Sequence, residues 1–489
     1  MSDIDRERGV LEQVPKQLYI RGQWRAGATG GTLSVEDPAT GESIAQVADG
    51  QPQDALDALD AAAQAQGEWA AHPPRERGEI LRRAYEAMMA RADELALLMT
   101  LEMGKSLAES RGEITYAAEF LRWFSEEAVR IHGRYMMSST GKGRVLTMRQ
   151  PVGPCVFVTP WNFPTAMGTR KIGPAIAAGC TMVVKPAQQT PLSMLALAQI
   201  FEQAGLPVGV LNVITAKRSG AVIEPLLKDP RTRKLSFTGS TEVGRALIAQ
   251  SAEQVLRVSM ELGGNAPFVV FEDADLDAAV EGALLAKMRN VGEACTAANR
   301  FHVHESLAQE FARRLAARMG AMKVGRGTEP GVEVGPLIDG AQRGKVAELV
   351  QDAVAHGARA LVGGSPIDGR GYFFEPTVLA DVPPDARLLG EEIFGPVAPV
   401  MSFSGEQQAI DAANATEYGL VAYIYTRDLA RALRVCEAIE TGMIGLNQGV
   451  VSNPAAPFGG VKQSGFGREG GFEGIGEYLE TKYVAVGGV

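Results

Sequence analysis

Between Pro154 and Met260 the chain alternates short apolar runs with helical stretches of ten or more residues, and this pattern constrains the fold more than any other feature. Cys155-Val156-Phe157-Val158, Met182-Val183-Val184, Val210–Ile214, Lys234–Phe237 and Val258-Ser259-Met260 read as strands. Between them lie helical stretches: one ending at Gly179, one over Pro191–Ala204, one around Ala221–Leu227 and one from Thr241. Apolar runs of this length without polar alternation are strands buried on both faces, which belong to a parallel, doubly wound sheet. Such sheets bind ligands beyond the carboxyl ends of their strands, with phosphates near a helix N-terminus.

A second α/β series starts at Pro267-Phe268-Val269-Val270. It continues through a helix over Leu276–Asn290, a strand at Phe301–Val303, a helix over Leu307–Met322, and strands at Gly419–Tyr425 and Met443–Leu446. The fold class expected is α/β: two doubly wound α/β domains, one Rossmann-like, with the Cys295 region at their junction. Upstream, residues 10–55 read as short strands and turns, and Pro52 to His132 as a long helical region with apolar residues at spacings of three and four. Arg144–Gln150 reads as a strand, as does Tyr483-Val484-Ala485-Val486 in the tail. The tail strand has no partner nearby in the sequence, so the expectation is that it pairs with another subunit.

The 489 residues suffice for two or three domains. A net charge of -10, scattered along the chain, gives no basic face for nucleic acid or an anionic membrane. No apolar run approaches the roughly 20 residues that span a bilayer. The charged start, Met1 to Gly9, carries no secretory signal, so the expected compartment is the cytoplasm. Cys155, Cys180, Cys295 and Cys436 lie far apart, and with five histidines in all no metal site is expected.

Two short motifs are misleading. Met103-Gly104-Lys105-Ser106 resembles the end of a phosphate-binding loop, but Met99 stands where the first glycine is required. Gly465-Phe466-Gly467-Arg468-Glu469-Gly470 matches G-x-G-x-x-G, yet no apolar strand precedes it and more glycines follow. Phe237-Thr238-Gly239-Ser240-Thr241-Glu242-Val243-Gly244 is the better phosphate candidate, because a strand ends there and a helix begins. The chemistry centres on Asn290-Val291-Gly292-Glu293-Ala294-Cys295-Thr296 and on Glu261-Leu262-Gly263-Gly264. A thiol with an isolated carboxylate is a candidate nucleophile and base; a free cysteine is otherwise a small buried hydrophobe.

Seven segments occur in the order found in the aldehyde dehydrogenase superfamily, and the chain resembles that family from about residue 15 to its end. They are Pro160-Trp161-Asn162-Phe163-Pro164, Lys185-Pro186-Ala187, Phe237-Thr238-Gly239-Ser240, Glu261-Leu262-Gly263-Gly264, the Cys295 segment, Glu392-Ile393-Phe394-Gly395-Pro396 and Pro457-Phe458-Gly459-Gly460. Three segments are most similar to the succinate-semialdehyde dehydrogenase branch: Ala166–Lys171, Lys287–Asn290, and Phe458–Gly465 with Gly467–Gly470. The resemblance implies a dinucleotide-binding domain (residues 1–133 and 153–263), a catalytic domain (264–457) and a small β oligomerisation element (134–152 and 458–489). It also implies a homodimer or homotetramer.

What the resemblance implies about the site follows residue by residue. Cys295 would attack an aldehyde carbonyl, Asn162 with the Cys295 backbone N–H would hold the oxyanion, and Glu261 would activate water. Trp161, Asn162, Lys185, Pro186, Ala187, Gln188, Gly239, Ser240, Leu262, Glu392 and Phe394 would bind NADP or NAD. A carboxylate at position 188 would repel a 2′-phosphate, so neutral Gln188 favours NADP. Arg170 and Arg289, with Ser452, would clamp the carboxylate of a short semialdehyde such as succinate semialdehyde. Ala297 stands where some members of the branch carry a second cysteine, so no disulfide switch is expected. The alternatives are another short aldehyde, such as glutarate semialdehyde or a phosphorylated triose, and a non-catalytic structural homologue.

Overall fold

The computed structural model describes residues 3–487. The first sheet has eight strands in the order Gln23–Arg25, Leu18–Ile20, Leu211–Val213, Met182–Lys185, Cys155–Val158, Lys234–Thr238, Arg257–Glu261, Gly465–Phe466. The five strands from Leu211–Val213 to Arg257–Glu261 run parallel. Antiparallel strands close both edges, Leu18–Ile20 beside Leu211–Val213 and Gly465–Phe466 beside Arg257–Glu261. Cys155–Val158 comes first in sequence among the parallel five, and the chain builds outward from it in one direction and then the other. The order therefore reverses between Cys155–Val158 and Lys234–Thr238, which opens a crevice at their carboxyl ends.

The second sheet has seven strands in the order Arg359–Val362, Thr377–Ala380, Val397–Phe403, Ala298–His304, Ala266–Val270, Val421–Tyr425, Met443–Leu446. All its pairings are parallel except that of the Arg359–Val362 edge. Thr377–Ala380 and Val397–Phe403 are strands that hydrophobic pattern alone did not single out. Strands buried along their whole length, such as Met182–Lys185 and Val421–Tyr425, are the apolar runs of the sequence.

The structure corrects three expectations. The first residues form a helix, Asp3–Gln13, rather than strands and turns from residue 10. The tail strand Leu479–Val486 pairs in antiparallel register with Arg144–Pro151 of its own chain, so it has a partner within the chain. Pairing across more than 300 positions leaves no local signal. Gly465–Phe466 joins the first sheet, so only part of the stretch from 458 onward belongs with the three-stranded sheet of Arg134–Met137, Arg144–Pro151 and Leu479–Val486. Among the described residues no helix is long and apolar enough to cross a membrane.

Candidate active site

The helix Leu276–Met288 ends two residues earlier than its pattern suggests, and the backbone then turns into the left-handed region at Asn290 (φ 54°), Val291 (φ 58°) and Gly292 (φ 78°). A β-branched residue there is strained. Packing over-determines the turn. Val291 is buried in the core of the second sheet, and a Cβ on Gly292 would lie 2.2 Å from the Gly395 carbonyl oxygen. The Asn290 backbone N–H donates to Glu109 Oε1 (2.6 Å), and its side-chain amide donates to the carbonyls of Asn162 (3.0 Å) and Glu293 (2.9 Å). This turn delivers Cys295, which is half-buried.

Asn162 lies on the loop beyond the Cys155–Val158 strand. Its Nδ2 donates to the Glu293 carbonyl at 3.0 Å, which ties the loop to the cysteine segment. The Cys295 backbone N–H donates to no group among the described residues. Gly264 packs so closely on this segment that a Cβ would lie 2.3 Å from the Cys295 carbonyl oxygen. Burial pushes the Cys295 thiol up to about 12; Arg170 and Arg289 pull it down, while Glu392 and Glu261 push it further up. The surroundings of Cys295 therefore favour its thiol form.

Glu261 ends the Arg257–Glu261 strand, is 3 % exposed, and has an Oε2 with no hydrogen-bond partner. A Cβ on Gly459 would come within 2.9 Å of its Oε1, so only glycine there leaves the carboxyl room. Burial, then the neighbouring charge of Glu469, raises the Glu261 carboxyl well above the usual carboxylate range. Burial alone would raise Glu469 too, but Lys171 (2.5 Å) and Arg170 (2.9 Å) hold it low. Within this pair the surroundings favour the ionised form of Glu469 and the protonated form of Glu261.

The arginines separate. Arg289 Nη1 donates to Ser452 Oγ at 3.0 Å, with its guanidinium over the Phe163 ring at 4.9 Å. Arg170 is 2 % exposed and already neutralised by Glu469. Its guanidinium lies 3.8 Å from the centre of the Phe458 ring, and its Nη2 has no hydrogen-bond partner.

Beyond the carboxyl ends of the first sheet, Lys185 Nζ donates to Ser219 Oγ at 2.5 Å, and burial lowers its pKa to about 8. Pro186 is buried, Ala187 half-buried and Gln188 exposed. Ser240 caps the helix Thr241–Ser251 by accepting from Val243 N, after a turn at Gly239 where any Cβ would strike the Phe237 ring. Leu262 packs against Gly244. Glu392 Oε1 accepts from Gly264 N at 3.1 Å, and burial raises its carboxyl to about 7. The Trp161 and Phe394 rings meet edge to face at 5.4 Å. Thr159 and Thr238, where the strand order reverses, keep buried hydroxyls without a partner. Unsatisfied hydroxyls in a crevice of this kind fit a polar dinucleotide.

Lys105, from the loop before the helix Leu107–Glu127, Glu109 and Glu113, from that helix, Lys171, from the helix Ala166–Ala178, and Glu469, from the tail, reach the site, and pattern reading assigned none of them a role. Among the described residues no group of three or more His, Cys, Asp or Glu is placed to hold a metal ion.

The fold and the convergence of thiol, carboxyl and amide define a dehydrogenase class: the aldehyde dehydrogenase family profile matches residues 24–484, and the chain belongs to that family. The chain is 61% identical over 443 residues to a succinate-semialdehyde dehydrogenase of Paenarthrobacter nicotinovorans, covering 91% of this chain and 98% of the relative. It is 50% identical over 474 residues to a glutarate-semialdehyde dehydrogenase of Pseudomonas aeruginosa, covering 97% and 98%. The crystal structure of an E. coli NADP-dependent enzyme superposes with a TM-score of 0.96 at 49% identity, covering 97% of this chain and 98% of that one.

Proposed function

We propose that this protein oxidises succinate semialdehyde to succinate with NADP or NAD as hydride acceptor. The observation that carries the reading is the meeting of Cys295, Glu261 and Asn162 beside the Arg289–Ser452 pair. The 61% identity to a succinate-semialdehyde dehydrogenase supports the substrate, and the likeness to an NADP-dependent enzyme supports the cofactor.

Cys295 gives up its thiol proton to solvent water, and Sγ bonds to the aldehyde carbon as the carbonyl π pair moves onto oxygen. The carbonyl oxygen becomes an oxyanion held by the free hydrogen of Asn162 Nδ2 and by the Cys295 N–H. A bound nicotinamide dinucleotide supplies the hydride acceptor. Lys185, Ser240 and Gln188 would hold its adenosine end, while Glu392, Phe394 and Trp161 would orient the nicotinamide end. Loss of hydride leaves a thioester on Cys295. Glu261, in its ionised form, then takes a proton from water, which attacks the thioester; the acid leaves and the proton passes to the departing sulfur, restoring the thiol. Buried and without a partner on Oε2, Glu261 can hold that proton.

Arg289, oriented by Ser452, gives the far carboxylate a charge-assisted partner. We place Arg170 second in that clamp through its free Nη2, since its charge is shared with Glu469. Glutarate semialdehyde, one methylene longer, is the second reading, favoured by the 50% identity to a dehydrogenase of that substrate. The three-stranded sheet exposes Tyr135, Met136, Met137 and Tyr483, which supports a homodimer or homotetramer. The free cysteines suit a cytoplasmic location. The deciding experiment is reduced-nucleotide formation with succinate semialdehyde across a panel of charged and neutral aldehydes, repeated with Cys295→Ala. No activity on any aldehyde, or activity that survives the substitution, defeats the reading.

A further inference from the structure

Lys105 belongs to the stretch that looks like the end of a phosphate-binding loop, yet its ammonium faces no phosphate crevice. It follows Gly104, whose left-handed φ of 95° and contact with Pro336 bring the chain sharply round into the helix Leu107–Glu127. The side chain is 1 % exposed. Its Nζ donates to Glu113 Oε2 at 2.6 Å and to the Asn162 backbone carbonyl at 2.7 Å, and lies 4.3 Å from the centre of the Phe163 ring. The other oxygen of Glu113 accepts from the backbone N–H groups of Thr165 (3.0 Å) and Ala166 (3.1 Å), where the helix Ala166–Ala178 begins. Lys105 and Glu113 therefore grip residues 162 to 166 from both ends. One turn back on the same helix, Glu109 holds the backbone N–H of left-handed Asn290.

A buried ion pair is a poor device for stability alone, because desolvation offsets much of the attraction. Here each partner is also bonded to backbone of the segment that carries Asn162, Lys105 through Nζ and Glu113 through Oε1. The Asn162 carbonyl receives Lys105 and Asn290 together, while its own side chain reaches the Glu293 carbonyl. Buried Lys105 and Glu113 and half-buried Glu109, on and before one helix, thus brace both the oxyanion donor and the turn before the nucleophile.

Resting on the dehydrogenase reading above, we propose that Lys105 and Glu113 are positioning residues for oxyanion stabilisation. They fix the Asn162 loop so that the free amide hydrogen points where charge develops on the substrate oxygen. A donor displaced by a fraction of an ångström loses most of its effect on the transition state while ground-state binding survives.

The test is a double-mutant cycle. Lys105→Met and Glu113→Gln are each made in the wild-type enzyme and in an Asn162→Ala background, and kcat is measured with saturating nucleotide and succinate semialdehyde. The dissociation constant for the nucleotide serves as a control for the fold. In the wild type either substitution should lower kcat by about 10- to 100-fold, part of the roughly 10²- to 10³-fold that removing an oxyanion donor costs. In the Asn162→Ala background the same substitution should cost about 2-fold or less, since there is no donor left to misplace. Nucleotide affinity should stay within about 2-fold when Lys105→Met or Glu113→Gln is introduced into either background, because neither side chain is among those that would bind the dinucleotide. Equal losses in both backgrounds would overturn the proposal, as would full activity in the single variants. If neither variant folds, the pair is a core element and the proposal falls. A wild-type enzyme inactive on every aldehyde would instead defeat the dehydrogenase reading.

Discussion

Asn162 and Glu293 are joined by a hydrogen bond of 3.0 Å from the asparagine Nδ2 to the glutamate carbonyl, across 131 positions of sequence. That bond fixes one hydrogen of the amide and leaves the other without a partner among the described residues. It also registers the loop after the Cys155–Val158 strand against the segment that carries Cys295.

Glu261→Gln should separate the two halves of the reaction. Attack by Cys295 and hydride loss do not need a carboxylate at 261 in the proposed scheme, whereas thioester hydrolysis does. The expected result is a retained first-turnover burst of reduced nucleotide with steady-state turnover lower by about 10²- to 10⁴-fold. Loss of burst and turnover together would assign Glu261 to the first step.

The pH dependence follows from the same group. Burial and Glu469 raise the Glu261 carboxyl, so the basic form is scarce at low pH and grows as pH rises. Steady-state kcat should therefore keep rising with pH well above the usual carboxylate range, and this limb should vanish in Glu261→Gln. A rate flat from acid to neutral pH would contradict the raised value.

The two arginines should behave differently. Arg289→Ala should raise KM for succinate semialdehyde by roughly 10- to 100-fold, in line with one charge-assisted hydrogen bond, with little change for an uncharged aldehyde. Arg170→Ala should also weaken the clamp, but it strips Glu469 of a partner in the interior, so a fall in Tm should accompany it. Equal KM changes on charged and neutral substrates in both variants would remove the clamp.

Gln188→Glu places a carboxylate at an exposed position just beyond Lys185. It should lower kcat/KM with NADP relative to NAD by about 10-fold, from repulsion of the 2′-phosphate. An unchanged ratio would show that position 188 does not face the adenosine end.

Glu102 is a stability probe away from the chemistry. Wholly buried, it accepts from the backbone N–H groups of Leu192 (2.7 Å) and Ser193 (2.8 Å), and burial raises its carboxyl from 4.5 to about 8. A raised carboxyl binds its proton more tightly in the folded state. Its contribution is complete below the unfolded value of 4.5 and is lost as pH climbs to about 8. Glu102→Gln should flatten the decline of Tm over that window; an unaltered slope would assign the decline to other groups.

The sequence by itself determined the parallel strands of the first sheet and all those of the second except Thr377–Ala380 and Val397–Phe403, because strands buried on both faces are apolar runs that stand out locally. Its motifs also determined the family, and with it Cys295, Glu261 and Asn162 as the residues to look at. The tertiary structure alone decided what surrounds them. Lys105, Glu113 and Glu469 are ordinary charged residues in sequence, and only their burial against Asn162, Arg170 and Lys171 distinguishes them. The left-handed turn at Asn290 and Val291 opposes local preference and is held by packing. The tail strand found its partner within its own chain more than 300 positions away. Desolvation and charge pairing depend on distances in space, and a linear pattern of residues does not encode them.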